Sequence, residues 1–410
     1  MTRPGRRHRN DLPIGRRVAE LRARRGMTQQ VFADRVGKSK SWVDKVERGV
    51  RNLDRLSAIE AVARALGVTP NVLLPGKTRP EPATDVGGAV ERVREALARH
   101  DVPGSGSDGQ RTPSSVRDLD HQVGYAWAAY RNGHYPQVLR MLPDLLGDSR
   151  RIHRTLTADA SATDLLIRVH RLAAQLLVKL GEPNLAWLAA DRAMTAATGD
   201  PRRAGLAAIA LAQALRALRR GRLAMTAALT AVHQLDPAPS RDRPPEEVAL
   251  TGTLLIEAAL AAAAHGDAAA ADLTDHAAHL ATVHGEQHHR DDDGIGFGPN
   301  AVELARALTA MSVGDHHRAI ATHRRATDGD AWQRLPAEHR AAHLIDITRA
   351  HLDLGDARAA GRALVTADAI APAEVRLRPA ARAALTAVLH AGPTPADVAR
   401  LAAAVGLTRQ

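Results

Sequence analysis

One pattern recurs six times between residue 116 and the end of the chain, and it constrains the fold more than any other feature. A helix-forming segment ends at a glycine, and a second segment begins just beyond it, with alanine or a substitute five residues after the glycine. Helix–turn–helix units repeated at such intervals are typical of an α-solenoid. The pattern predicts a helical-repeat domain over residues 116–410. The glycines are Gly133, Gly181, Gly221, Gly266, Gly314 and Gly355, at spacings of 48, 40, 45, 48 and 41 residues.

The composition points the same way. Aromatic residues make up 2% of the chain and apolar residues 45%, so alanine, leucine and valine must supply the core. Alanine and leucine favour helices over strands, and the whole chain is therefore predicted to be all-α. At 410 residues it is long enough for two or more cores. The chain has no cysteine, which excludes disulfides, thiolate catalysis and cysteine-based zinc sites.

The excess of positive charge is confined to the N-terminal fifth. Residues 1–79 contain 19 basic and 7 acidic residues, a net charge of +12, whereas the remaining residues contain 37 basic and 38 acidic residues. A basic patch on one small domain is typical of proteins that bind the phosphate backbone of nucleic acids. The charge distribution therefore predicts an N-terminal nucleic-acid-binding domain in front of a body whose net charge is close to zero.

Five short helices are predicted between Pro13 and Leu74. The second and third are joined at Gly37, and each begins with a capping hydroxyl residue, Thr28 or Ser39. The third helix buries two valines, Val43 and Val46. Its outward residues are then Lys40, Ser41, Asp44, Lys45 and Arg48. A short helix with apolar anchors on one side and hydrogen-bond donors on the other fits the DNA major groove.

These residues resemble the phage-repressor helix-turn-helix family, of the Cro-like or XRE type. The similarity covers residues 14–74 and includes the run Gly26-Met27-Thr28-Gln29, the pair Phe32-Ala33 and the run Val46-Glu47-Arg48-Gly49. It implies a five-helix, lambda-repressor-like DNA-binding domain, here residues 13–76.

The resemblance also implies roles for individual residues. Base edges would be contacted by Lys40, Ser41 and Lys45, because lysine suits guanine O6 and N7. An ion pair between Arg22 and Glu47 would tie the first helix to the third. Trp42 would either stack on sugar and phosphate or fill the edge of the core. The DNA backbone would be contacted by Gln29, Trp42, Arg48, Asn52 and Arg55.

Two segments flank this domain. The basic arm of residues 1–12 is either a solvated tail or an arm that crosses the minor groove. Residues 77–115 are predicted to be a linker with one short amphipathic helix, whose stripe of Val90, Val93 and Leu97 would dock on the body or pair with a second copy.

The repeats of the body resemble degenerate tetratricopeptide repeats. The unit at Gly355 fits best, with Ala360, Leu364, Ala367 and Pro372 in place. The whole chain is similar to actinobacterial transcriptional regulators that join an XRE-type domain to such a body. This resemblance implies DNA as a partner, and an effector on the concave face that is a peptide, a small molecule or a protein.

Catalytic and metal-binding signatures are weak. The segment GIGFGPN lacks the spacing of a nucleotide-binding loop, and no serine lies in a nucleophile elbow. His284, His288 and His289 precede a run of aspartates in a predicted loop, so no metal and no cofactor are predicted. The start of the chain lacks the apolar core of a signal peptide, which favours the cytoplasm.

Together these features predict a sequence-specific transcriptional regulator and not an enzyme. One such domain makes a short DNA contact, so a homodimer on a two-fold operator is expected, formed mainly by the solenoid. The alternative is a tetratricopeptide adaptor whose N-terminal domain contacts protein instead of DNA.

Overall fold

The computed structural model describes residues 14–25, 27–51, 56–66, 83–99, 115–156, 159–235, 243–284 and 296–407. These residues form helices and no strands, which confirms the all-α prediction. The chain divides into two compact units, residues 1–84 and 85–410. The predicted basic arm, the predicted fifth helix near Thr69, Asn52 and Arg55, and His288 and His289 lie outside the described residues.

The first unit contains four described helices around one small core. Its buried residues come from all four helices, and Val18, Phe32, Val43 and Val62 are fully buried. The helices are α1 (Ile14–Arg24), α2 (Gln29–Val36), α3 (Lys40–Glu47) and α4 (Leu56–Leu66).

The second unit begins with α5 (Ala83–Ala98), which the sequence places in a linker. Its stripe of Val90, Val93 and Leu97 is buried in the same apolar cluster as the first helices of the body. Because this face packs against the body, the helix is part of the second unit. Of the two roles left open for the stripe, the structure shows docking on the body.

The rest of the second unit consists of helix pairs, each an inner and an outer helix. The inner helices are α6 (Val116–Arg131), α8 (Ala160–Lys179), α10 (Pro201–Ala217), α12 (Pro245–Ala264), α14 (Pro299–Ser312) and α17 (Ala337–Asp353). Their outer partners are α7 (Tyr135–Thr155), α9 (Pro183–Ala196), α11 (Gly221–Leu235), α13 (Ala269–His284), α15 (His316–Thr327) and α18 (Ala357–Ile370). The remaining helices are α16 (Asp330–Arg334), α19 (Pro372–Leu377), α20 (Pro379–His390) and α21 (Ala396–Val405).

The turn inside each pair has one left-handed residue, two positions after the inner helix ends. Five of these residues are predicted glycines, with φ between 72° and 86°. In the third pair the position is taken by Arg219, with φ 61°, and Gly221 is instead the first residue of α11. The predicted turn at Gly221 was therefore placed two residues too late. The buried Ala224 confirms the shift, because it lies five residues after Arg219.

Helix α12 is the most apolar inner helix. By length and composition it is long and apolar enough to cross a membrane, but most of its residues are buried inside the second unit. A helix that is apolar on all sides is typical of the centre of a large core. Gly252 on this helix lies so close to the ring of Phe297 that an added Cβ would be 2.1 Å from a ring atom.

The inner layer closes on itself. Each inner helix contacts the next one, and α17 also contacts α6, so the six helices form a ring. A group of largely buried polar and charged side chains joins the two ends of this ring, and we name it the clasp: Tyr135, Lys179, Glu338, Glu374 and Arg378. Lys179 forms ion pairs with both Glu338 and Glu374, and the Tyr135 hydroxyl donates to Glu374.

The charges of the clasp support one another. Burial favours the neutral amine of Lys179, but Glu338 and Glu374 outweigh this effect and raise the pKa of Lys179. Arg378 forms a 2.7 Å ion pair with Asp346 and lies 3.5 Å from Glu374. Removing one member of such a buried group would leave an uncompensated charge, so the clasp holds the ring closed as a unit.

Candidate nucleic-acid interface

Two capped helices and a left-handed turn form the centre of the first unit. The hydroxyl of Thr28 accepts from the backbone N–H of Val31, and that of Ser39 accepts from the backbone N–H of Trp42, each at 3.2 Å. Between the helices, Gly37 has φ 68° and ψ 38°, a conformation that glycine adopts without steric cost. The caps and the turn predicted from the sequence are all present.

Helix α3 is held by its apolar side and by a close contact with α1. Val43 and Val46 are 0% and 1% exposed. Behind them, Gly15 of α1 packs directly on the end of α3: a Cβ at Gly15 would lie 2.0 Å from the Val46 carbonyl oxygen. Only glycine permits this approach, which fixes the position of α3 relative to α1. No local sequence pattern marks this role of Gly15, because the contact joins two separate helices.

A hydrogen-bonded group, which we name the Glu47 lock, ties together α1, α2 and α3. The Arg22 guanidinium donates to both Glu47 carboxylate oxygens, at 2.6 and 3.0 Å, and to the Met27 carbonyl at 2.6 Å. Hydrogen bonding to Glu47 is the main cause of the raised pKa of Arg22. The predicted contact between Arg22 and Glu47 is present, and Glu47 is a buried scaffold residue.

Gln29 is a third member of the lock. Its amide Nε2 donates to Glu47 at 2.9 Å, a contact that no local sequence pattern indicates. The same side chain was predicted to bind a DNA phosphate. Since the amide nitrogen carries two N–H groups, the bond to Glu47 uses one of them and orients the side chain at the start of α2.

The outer face of α3 carries the predicted base-contacting residues. Lys40, Ser41 and Lys45 are all exposed. Neither lysine forms an ion pair with any residue that the structure describes. Arg48, in contrast, lies 3.2 Å from Asp44 in an exposed ion pair. The face therefore presents two lysine ammonium groups and one hydroxyl, on a helix whose opposite side is anchored in the core by Val43 and Val46.

Trp42 lies at the edge of this face. It is partly buried and packs against the core of the first unit, as one of its two predicted roles requires. Part of its surface remains exposed.

Comparison with known proteins identifies this unit. A helix-turn-helix domain family matches the chain over residues 13–74. This segment is a helix-turn-helix domain. In such domains the second helix of the motif enters the major groove of DNA, and here that helix is α3. The match does not extend into the second unit.

The crystal structure of Bacillus thuringiensis PlcR in complex with the peptide PapR7 and DNA is similar to this chain with a TM-score of 0.33 and 15% sequence identity. The similarity covers 66% of this chain and 94% of the PlcR chain. At this TM-score it shows neither a common fold nor a common function. No curated protein sequence matches the chain.

Proposed function

We propose that the protein is a sequence-specific DNA-binding transcriptional regulator of the XRE type. The observation that carries this proposal is the exposed face of α3. Two lysines and a serine project from a helix whose opposite side is anchored by Val43 and Val46 and whose end is fixed by the Glu47 lock. A rigid support matters here, because base contacts require the side chains to be held in register with the groove.

The charge distribution supports DNA over a protein partner. Helix α3 lies within the segment of net charge +12, residues 1–79, whereas the rest of the chain is close to neutral. Attraction to phosphates brings the domain to any duplex, and α3 then selects the sequence. In this proposal Gln29, Trp42, Arg48, Asn52 and Arg55 contact the backbone, and Lys40, Ser41 and Lys45 contact base edges.

Dimerisation and sensing complete the proposal. One helix-turn-helix domain contacts a short stretch of DNA, so useful affinity calls for two copies on a two-fold operator, with half-sites roughly 34 Å or a multiple apart. We assign dimer formation and effector sensing to the second unit. Its closed ring would change the affinity for DNA if an effector favoured one arrangement of the helices over another. We place this activity in the cytoplasm.

The experiment is selection from randomised duplexes with the full chain, followed by fluorescence anisotropy on the selected operator. Replacing Lys45 with Ala is expected to weaken operator binding by about 1–3 kcal/mol and to relax the preference at one base position. Lys40→Ala is expected to act in the same way at another position. The control is Arg222→Ala, which removes one exposed positive charge from the body.

Two results would contradict the proposal in different ways. If both lysine variants keep full affinity and sequence preference, α3 is not the reading helix. If the intact chain selects no duplex at all and its affinity for DNA does not fall with added salt, the adaptor alternative is favoured. Native mass spectrometry of the same preparation measures the number of subunits.

A further inference from the structure

The exposed face of α3 carries one acidic side chain among its basic and hydroxyl residues. It belongs to Asp44, and it is 43% exposed. The proposed function assigns Lys40, Ser41 and Lys45 to base edges and leaves Asp44 without a role. A carboxylate on a helix that enters a groove between two rows of phosphates is repelled by them. Its presence there therefore calls for a contact that offsets the repulsion.

The position of Asp44 on the helix places it well inside this face. Successive residues of an α-helix are about 100° apart around the axis. The direction opposite Val43 and Val46 is the centre of the exposed face. Asp44 and Lys45 each lie about 50° from that direction, whereas Lys40 lies about 90° from it. Asp44 is therefore as well placed to reach a base edge as Lys45, and better placed than Lys40.

The folding of the first unit does not account for an aspartate at this position. The side chain lies outside the apolar core, and aspartate is a weak helix former. Among the described residues the carboxylate pairs with Arg48 at 3.2 Å, and both side chains are exposed, so the pair contributes little to stability. A carboxylate accepts up to about four hydrogen bonds. Asp44 therefore keeps acceptor sites for a partner on DNA.

The chemistry of a carboxylate selects one base. It only accepts, and the donors in the major groove are the amino groups of cytosine and adenine. Adenine presents the acceptor N7 beside its amino group, and guanine and thymine present the acceptors O6, N7 and O4. Each of these acceptors repels a carboxylate. Cytosine presents an amino group and no acceptor, so a carboxylate at this position favours cytosine and penalises the other three bases.

We propose that Asp44 determines part of the sequence specificity by accepting a hydrogen bond from the N4 amino group of one cytosine in the operator. This inference rests on the proposed function and deepens it, because Lys40 and Lys45 can only donate and so cannot select a base by its amino group. The stretch of DNA that α3 contacts therefore contains a cytosine required by Asp44, in addition to the guanines suited to the lysines.

The first test is selection from randomised duplexes with the full chain and with Asp44→Ala. The wild-type chain is expected to prefer cytosine about tenfold or more over any other base at one position. In Asp44→Ala this preference is expected to fall below about twofold, while the guanine positions are retained. Because the variant loses a negative charge, its affinity for a random duplex is expected to rise about threefold.

Two further variants separate a base contact from other effects of the charge. Asp34→Ala is the matched control, because Asp34 is an exposed carboxylate on α2 that accepts from Gln30. It changes the charge of the same unit equally and is expected to leave the selected sequence unchanged. Arg48→Ala is expected to weaken all duplexes alike and to keep the cytosine. If Arg48→Ala instead abolishes the cytosine preference, Asp44 acts only through Arg48 and the proposal is wrong.

A modified base tests the hydrogen bond itself. N4-methylcytosine still pairs with guanine, but its methyl group replaces the N–H that faces the major groove. At the selected cytosine this base is expected to weaken binding of the wild-type chain about tenfold and binding of Asp44→Ala less than about twofold, measured by fluorescence anisotropy. Equal weakening of both proteins would show that Asp44 does not accept from this amino group.

The selections also distinguish this inference from the proposed function. A chain that selects no duplex refutes the proposed function, and the role of Asp44 falls with it. A chain that selects an operator refutes the role of Asp44 alone in either of two cases. In the first, Asp44→Ala keeps the same preference at every position. In the second, the position that changes in Asp44→Ala holds a base pair without the expected cytosine.

Discussion

Replacing Glu47 with Gln tests whether the Glu47 lock positions the reading helix. The change keeps the size of the side chain but removes the charge that Arg22 requires. It also puts an amide nitrogen where the carboxylate now accepts from Arg22 and Gln29, so two donors would face each other. Glu47 is 7% exposed and the Arg22 side chain 16%, so water cannot fully replace the lost contacts.

The expected cost is about 3 kcal/mol. Removing one partner of a buried ion pair costs about 3–5 kcal/mol, and the lower end applies because Arg22 keeps some contact with water. A domain of about 60 residues has a free energy of unfolding of roughly 3–9 kcal/mol at the usual stability per residue. The variant would therefore lose a large part of the stability of the first unit, while the second unit is unaffected.

Hydrogen–deuterium exchange on the full chain measures this loss. Peptides from α2 and α3 are expected to exchange about a hundredfold faster in Glu47→Gln, while peptides from α8 keep their rates. The double variant Arg22→Met with Glu47→Leu is the control, because it removes both charges at once and is expected to restore most of the protection. Unchanged exchange in the single variant, or a double variant as unstable as the sum of the single changes, would refute the reasoning.

Three further predictions concern the second unit and are read from thermal or urea unfolding of the full chain. Arg219→Gly is expected to stabilise this unit by about 1 kcal/mol, because glycine takes the left-handed conformation without strain, and no gain would mean that the Arg219 side chain offsets the strain. Gly252→Ala is expected to destabilise it by about 1–3 kcal/mol, since the added methyl overlaps the ring of Phe297; wild-type stability would show that the ring moves aside freely. Burial lowers the pKa of His170 from 6.5 to about 4, so below pH 6.5 the unfolded chain takes up a proton that the folded chain does not. The free energy of unfolding should therefore decrease as the pH is lowered, by about 2 kcal/mol from this residue at pH 5. His170→Asn should show a smaller decrease. An identical pH profile for the variant would contradict the lowered pKa.

The first unit was largely predictable from the sequence because its signals are local. The caps at Thr28 and Ser39 and the turn at Gly37 lie within three residues of the helix ends that they define. The spacing of Val43 and Val46 on one short helix also marks the buried face. The bond from Gln29 to Glu47 joins residues 18 positions apart, and no short-range pattern indicates it.

The second unit was predictable as a repeat but not as a ring. The glycine pattern located five of the six turns, and it failed where a non-glycine residue, Arg219, takes the left-handed position. The clasp could not be predicted, because Tyr135 and Glu374 are 239 residues apart and each resembles an ordinary helix residue.

The clasp has a consequence for how the protein is made. In an open array of repeats each unit depends only on its neighbours, so terminal units can be deleted and the shorter protein still folds. Here Glu374 accepts from Tyr135 of the first helix pair and forms an ion pair with Lys179 of α8, so a polypeptide that stops before Glu374 lacks the partner of Tyr135 and one of the two partners of Lys179. During synthesis, the body can therefore reach its final stability only after Glu374 has left the ribosome.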